Sequence, residues 1–269
     1  MPVHHTLQEA ADELGVHYMT AYRYVRLGQL GAEKVSGVWR VSDQALVDFR
    51  EGSGAGPVAR GQPAPWGERL EDRLVEGDGQ GAWGVIESAM ASGADVRSVY
   101  VDLLSPAMVS IGARWAAGEL DISVEHQATV IATRAIGRLG ARCVRRGRPR
   151  GDVILGAPAG ESHGLATAIL SDLMRLHGWN VTDLGANTPT SSFIHALQRS
   201  TELQGVGLSV THSAHLGDIE ACCRAIKDAH PDLLVVVGGS GLRGAVADDL
   251  GADACVNSAD ELHELLLAR

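Results

Sequence analysis

Gly151-Asp-Val-Ile-Leu-Gly-Ala-Pro-Ala-Gly-Glu-Ser-His-Gly-Leu-Ala166 is the stretch on which the reading of the fold turns. Asp152–Ala157 is a short apolar run of strand length, and a loop of small and polar residues follows it. Asn180–Leu184, Gly205–Val210, Leu233–Val237 and Ala254–Val256 repeat the pattern downstream, with helical segments between them and a last helix at Ala259–Leu267. This alternation is the βαβ rhythm of an open parallel sheet, and it predicts a flavodoxin-like Rossmann domain. Such sheets take ligands in the crevice beyond the carboxyl ends of their strands. The loops after the first, third and fourth strands therefore matter most.

Those loops carry Glu161-Ser162-His163-Gly-Leu-Ala166, then Ser209-Val-Thr211, then Gly238-Gly239. In that order they resemble the D/E-x-H-x-x-G, S-x-L/T and G-G segments of domains that bind cobalamin with its dimethylbenzimidazole displaced. Asp183-Leu-Gly-Ala-Asn187-Thr188-Pro189 is similar to the loop after the second strand in those domains. The resemblance implies a cobalt corrinoid with His163 as lower axial ligand through one imidazole nitrogen, the other being oriented by Glu161. It also implies that Gly238 and Gly239 let backbone lie close to the buried nucleotide tail, with Ser209 and Thr211 as small hydrogen-bonding walls. Ser162, Asn187 and Thr188 belong to the same implied cofactor set. Ala166 stands where the pattern has its final glycine, so its methyl either crowds the nucleotide tail or is accommodated there.

Upstream, apolar spacing in Trp83–Met90, Val96–Ile111 and Val124–Leu139 predicts three or four packed helices, a four-helix bundle over 67–148. Pro106 marks a kink or a helix start, and Ser123 is placed to cap the last long helix. Arg134, Arg138, Arg142 and Arg146 recur every fourth residue along that helix, as a solvated face or as a contact for DNA or another subunit. Taken without context, Trp115 reads as core, and the pair Glu125-His126 as surface. Bundle and α/β domain together, with Trp115-x₉-Glu125-His126, resemble the CarH-type photoreceptors, transcriptional repressors that sense light through adenosylcobalamin. That resemblance implies Trp115 and Glu125 against the adenosyl group, Ile122 lining its pocket, and His126 as upper cobalt ligand once light has broken the cobalt–carbon bond. It further implies a homotetramer in the dark that dissociates on illumination.

Residues 1–50 form a third module. Thr6-Leu-Gln-Glu9 is a capping box, in which Thr6 accepts a backbone N–H and Glu9 reaches back. Leu7, Ala10, Ala11 and Leu14 give one apolar face, Gly15-Val16 a tight turn, and Thr20–Leu27 a second helix ended by Gly28. Val35-Ser-Gly-Val-Trp-Arg-Val41 alternates about Gly37 as a hairpin wing does. The string Leu14–Gly28 and the Trp39-Arg40 wing resemble the excisionase branch of the winged MerR-like helix-turn-helix family. The resemblance implies a double-stranded DNA operator as partner. His17, Tyr18, Thr20, Arg23 and Tyr24 would lie at the groove, and Arg26 and Arg40 on phosphates. A helical protein-interaction module is the alternative reading.

The whole chain of 269 residues has a net charge of −10, which by itself argues against nucleic acid and against an anionic membrane surface. The charge is unevenly placed. Residues 1–50 carry five basic against six acidic side chains, residues 51–150 twelve of each, and residues 151–269 six against fifteen. A near-neutral reader binds DNA weakly alone and is expected to need assembly. Glu51–Trp66, rich in Gly and Pro, reads as a flexible linker. The expected organisation is thus a multi-domain α+β and α/β chain, divided as 1–50, 51–66, 67–148 and 149–269.

Cys143, Cys222, Cys223 and Cys255 show no paired spacing, as in a reduced, cytoplasmic protein. His212-Ser-Ala-His215 with Cys222-Cys223 fits no zinc pattern and reads as a loop beside the ligand. No secretory leader or membrane-span pattern is legible. The function expected is a light-responsive repressor that turns over no substrate. A cobalamin-level sensor, a haem or redox sensor using His163, and the corrinoid protein of a methyltransferase or mutase are the alternatives.

Overall fold

The computed structural model describes residues 4–16, 18–26, 30–35, 38–50, 65–200, 202–242 and 244–269. The expectations for His17, Leu27, Gly28, Gly37 and residues 51–64 lie outside the described residues. The chain divides into two compact units, Met1–Ala128 and Thr129–Arg269.

The first unit opens with β1 (His4–Thr6), α1 (Leu7–Leu14), α2 (Tyr18–Arg26), β2 (Ala32–Val35), β3 (Val38–Ser42) and α3 (Asp43–Arg50). The capping box is formed: Glu9 N–H donates to Thr6 Oγ1 at 3.2 Å, and Thr6 N–H donates to Glu9 Oε2 at 2.7 Å. Gly15, at φ +67°, closes α1 in the left-handed region. Strand β3 is central in an antiparallel sheet of order β1-β3-β2. Leu7, Ala10, Ala11, Ala21, Val25, Leu30, Val41 and Leu46 make the core between the helices and this sheet.

Four helical rods follow: α4 (Trp66–Val75), α5 (Gly79–Ala91), a third running from Val96 to Ala116, and α8 (Ile122–Gly140). The third rod joins α6 (Val96–Ser98) to α7 (Ser105–Ala116) through a π-helical turn at Val99–Leu104. Ser105 N–H donates to the carbonyl of Tyr100, five residues back. This wide turn delivers the chain to Pro106 in the first turn of α7, where a missing N–H does least harm. Pro106 is therefore a helix start.

Three expectations are corrected here. Ser123 does not cap α8: the Asp121 carboxylate accepts from Ser123 N–H at 2.8 Å and from its hydroxyl at 2.5 Å, so the cap lies two residues earlier. The arginine stripe is shorter than its spacing suggests, because α8 stops at Gly140. Arg142 N–H and Cys143 N–H turn back onto Leu139 and Gly140, which leaves Arg142 in a turn and Arg146 in the loop beyond. Trp66 already belongs to α4 and is not linker.

The second unit alternates strand and helix up to β7: β4 (Asp152–Gly156), α9 (Leu165–Leu176), β5 (Asn180–Asp183), α10 (Thr190–Leu197), β6 (Leu203–Ser209), α11 (Leu216–Ala229) and β7 (Leu234–Gly238). A single 3₁₀ turn (Asp248–Leu250) then leads to β8 (Ala254–Val256) and α12 (Ala259–Leu267). All pairings are parallel, in the order β5-β4-β6-β7-β8. This is the doubly wound arrangement, with its switch point between β4 and β6. Val153, Ile154, Leu155, Val206, Leu208, Val235 and Val237 are buried, as strands covered on both faces require.

Cys222 and Cys223 correct a further reading. They sit on α11 inside the core, not in a loop beside a ligand. Burial pushes their thiols up to about 11 and about 12. They are packing groups.

Gly239, just past β7, sits at φ +122°, and a methyl there would lie 2.1 Å from the Val210 carbonyl oxygen. The loops after β6 and β7 touch backbone to backbone at that point. Gly239→Ala is expected to remove at least about 3 kcal/mol from the α/β unit. The check is a lower guanidinium midpoint at unchanged slope for that transition.

Candidate functional site

The carboxyl edge of the β4–β6 pair is organised around one buried carboxylate. Glu161 follows β4 in the loop to α9 and has no exposed surface. Its Oε1 accepts from His163 Nδ1 at 2.5 Å and from His163 N–H at 3.0 Å. Its Oε2 accepts from Thr211 N–H at 2.7 Å and from His212 N–H at 3.2 Å, both in the loop after β6. Burial pushes the carboxyl up, but the Thr211 N–H, His163 and the His212 N–H together hold it below its usual range. Glu161 is therefore an anion at neutral pH.

That charge fixes the imidazole. An ionised carboxylate accepts, so Nδ1 of His163 carries a proton, and in the neutral ring the lone pair is then on Nε2. The His163 side chain is 53% exposed.

The other loops are laced to the same point. Asn187 N–H donates to the Glu161 carbonyl at 2.8 Å, and Asn187 Oδ1 accepts from Gly160 N–H at 2.9 Å. Asn187 adopts φ +51°, a region in which Asn is among the best tolerated side chains. Thr188 is buried; its N–H donates to Ala157 and its hydroxyl to Leu184. Ser240 Oγ donates to the Thr211 carbonyl at 3.1 Å, tying in the loop after β7. Ser209 is buried at the end of β6, while Ser162 in the loop after β4 and Ala166 in the first turn of α9 are exposed. The crevice is preorganised by its own backbone.

Two hydroxyls go unmatched. Thr167 Oγ1 and Ser171 Oγ, one turn apart on α9, are buried and have no hydrogen-bond partner among the described residues. Orphaned buried polar groups are uncommon and point to a partner of another kind. The spacing Thr167-x₃-Ser171 on a mostly apolar helix was the available sequence signal. The hold of Thr211 and His212 N–H on Glu161 had none, because backbone donors leave no trace in residue type.

Trp115 lies in the last turn of α7 and Ile122 begins α8, each 43% exposed. Glu125 Oε2 meets His126 Nδ1 at 2.7 Å, and the His126 ring is 71% exposed. This is a second carboxylate–imidazole pair, again with Nε2 turned away from its carboxylate.

The DNA-contact residues divide. Tyr18 and Tyr24 pack against the core of their module, and Tyr24 lies 4.7 Å from the Phe49 ring, so both rings are partly engaged in packing. Thr20 is half-buried on α2, and Arg23 and Arg26 belong to the same helix. Arg40 sits opposite Glu33 across the β2–β3 hairpin, so an acidic side chain shares its face.

Comparisons with known proteins agree with this layout. Residues 151–267 match a B12 binding domain, residues 66–139 a second B12 binding domain, and residues 6–53 a helix-turn-helix domain. A corrinoid protein of Desulfitobacterium hafniense (strain Y51) is 21% identical over 74% of this chain and 94% of its own length. The dimethylamine corrinoid protein of Methanosarcina barkeri is 25% identical, over 59% and 76%. The HTH-type transcriptional repressor CarH of Myxococcus xanthus is 28% identical over 71% of this chain, which spans 63% of that repressor. The solved monomethylamine corrinoid protein of Methanosarcina barkeri superposes with a TM-score of 0.67 at 16% identity, covering 76% of this chain and 97% of that one. That superposition establishes a shared fold. The chain thus joins a helix-turn-helix domain to B12-binding domains, and among its described residues no helix is long and apolar enough to cross a membrane.

Proposed function

We propose that the chain is a cytoplasmic, light-responsive transcriptional repressor whose hold on DNA is set by adenosylcobalamin. The observation that carries this reading is the Glu161–His163 pair: a buried anion fixes the tautomer and leaves one imidazole nitrogen bare at the edge of a B12-type sheet. The donor set suits a cobalt corrinoid, and the orphaned Thr167 and Ser171 hydroxyls suit a polar group inserted beside α9. The helix-turn-helix domain supplies a DNA partner, and its pairing with B12-binding domains fits a regulator and not an enzyme.

When bound, adenosylcobalamin supplies a cobalt–carbon bond that light cleaves. The chain's residues do the rest. His163 would hold the cobalt through one imidazole nitrogen, with Glu161 keeping the ring in register. Gly238, Gly239, Ser209 and Thr211 border the strand ends where the nucleotide tail is assigned. Trp115, Ile122 and Glu125 would serve the adenosyl group, and His126 would offer a second imidazole to the metal. A signal reaches DNA because a reader with five basic and six acidic side chains holds an operator only when several copies act together. Control of assembly, as a dark tetramer, is therefore control of occupancy.

Size-exclusion chromatography of the full chain with adenosylcobalamin, in the dark and after illumination, tests this. The expected result is a larger species in the dark that collapses on illumination, with no dark assembly in His163→Ala. An elution volume indifferent to light would sink the light response.

A second reading, a corrinoid carrier for methyl transfer, is favoured by the corrinoid proteins among the relatives. It predicts methyl exchange with a partner enzyme and assembly that ignores light.

A further inference from the structure

The second unit has another concave feature, at the opposite edge of its sheet from Glu161 and His163. Residues 144–150 lead into β4 and residues 178–181 open β5, so a cavity lined by both lies at the amino ends of the strands. It is a cleft half open to solvent, of about 480 Å³. Arg145, Arg146, Arg148, Arg150 and Arg175 line it, and no acidic residue does.

Two of the five arginines are matched by acids nearby: Arg148 pairs with Glu202 at 3.1 Å and Arg175 with Asp172 at 2.9 Å. Three are not. Arg145 Nη1 and Arg150 Nε donate to the carbonyls of Leu176 and His177, at the end of α9, which pins their heads without cancelling their charge. Arg146 has no hydrogen bond or ion pair among the described residues. The pinned heads converge over Gly178, at φ +90°: a Cβ there would lie 3.6 Å from Arg150 Nε and 3.7 Å from Arg145 Nη1. Nearby His263 is held below its usual range by burial, by His177 and by Arg150, against the opposing pull of Glu264 and Asp260. The lining is rich in arginine within a domain that is otherwise acidic.

We propose that this cavity is a binding site for a small phosphorylated anion of the pyrophosphate or nucleoside-polyphosphate class, separate from the corrinoid site. Guanidinium groups match phosphate oxygens in paired hydrogen bonds, and the pinned heads keep free N–H donors for them. Three unmatched positive charges suit a diphosphate. A duplex backbone fits less well, because residues 151–269 carry fifteen acidic against six basic side chains and repel an extended polyanion. A small anion senses chiefly the charges within about one screening length, about 8 Å at physiological salt.

The test is calorimetric titration of the full chain, without corrinoid, by sodium pyrophosphate at low salt. One site is expected, weakened at least tenfold in Arg145→Ala/Arg150→Ala and severalfold in Arg146→Ala, and unchanged in Arg134→Ala on α8. Arg146 makes no internal bond, so its variant reports on binding even if the double variant folds poorly. No pyrophosphate binding, or equal binding by wild type and both cavity variants, would overturn the proposal. So would a double variant that loses affinity for random duplex DNA while pyrophosphate does not bind, since the arginines would then serve the DNA backbone.

Discussion

Glu161→Gln is expected to weaken cobalamin binding between about tenfold and a hundredfold while costing the fold less than Glu161→Ala does. The glutamine keeps the volume, and its carbonyl oxygen can still accept from Thr211 and His212 N–H. Its amide NH₂ then faces the His163 backbone N–H, which loses its acceptor, and His163 Nδ1, which must become an acceptor. The ring proton moves to Nε2, and the lone pair meant for metal is gone. Alanine strips all four donors of their acceptor and leaves a buried void, at about 2–4 kcal/mol after water has entered the more open positions. Equilibrium dialysis against adenosylcobalamin and denaturant unfolding separate the two effects. The carboxyl also sets an acid limit. Its folded-state pKa lies below the unfolded value of about 4.3, so its contribution is fully present above that pH. The contribution is lost as pH falls through the lower folded value. Wild type should lose stability in that window, and Glu161→Gln should lose less there.

His163→Ala is expected to reduce cofactor affinity at least about a hundredfold and to abolish dark assembly, with unfolding free energy changed by no more than about 1 kcal/mol. The ring is half in solvent, so its removal leaves little cavity, and Glu161 keeps the Thr211 and His212 donors. The contrast with His126→Ala is sharp. That ring belongs to the bundle and is 71% exposed, so its loss is expected to leave dark affinity and dark assembly intact. Its effect should appear after illumination, as faster loss of the corrinoid. Parallel absorption spectra and size-exclusion profiles of the two variants check both halves of the prediction.

The α/β unit was legible because its information is periodic. Each apolar run between Asp152 and Val256 became a strand within a residue or two, and the glycines and polar residues between them fell at the carboxyl edge. Glu161 and His163 were readable as a pair through the resemblance of their loop to the D/E-x-H-x-x-G segment of cobalamin-binding domains. Backbone-mediated features were hidden. The Thr211 and His212 N–H groups that complete the Glu161 cage could come from any residue type, and the π turn before Pro106 depends on which carbonyl Ser105 reaches. The arginine stripe misled for a related reason. A four-residue spacing says helix only while the backbone stays helical, and α8 ends at Gly140. The same break frees Arg145–Arg150 to line the cavity at the amino edge. Cys222 and Cys223 were misplaced because adjacent thiols suggest chemistry, whereas the apolar face of α11 buries them.

The central claim is that a protein imidazole, His163, is the lower ligand of cobalt. Electron paramagnetic resonance of uniformly ¹⁵N-labelled protein loaded with unlabelled cobalamin in its cobalt(II) state reads that ligand directly. A nitrogen-15 nucleus splits each cobalt line into a doublet, and the cofactor's own nitrogen-14 base splits it into a triplet. The account predicts doublets in wild type that vanish in His163→Ala. Triplets in the labelled wild-type protein would contradict it.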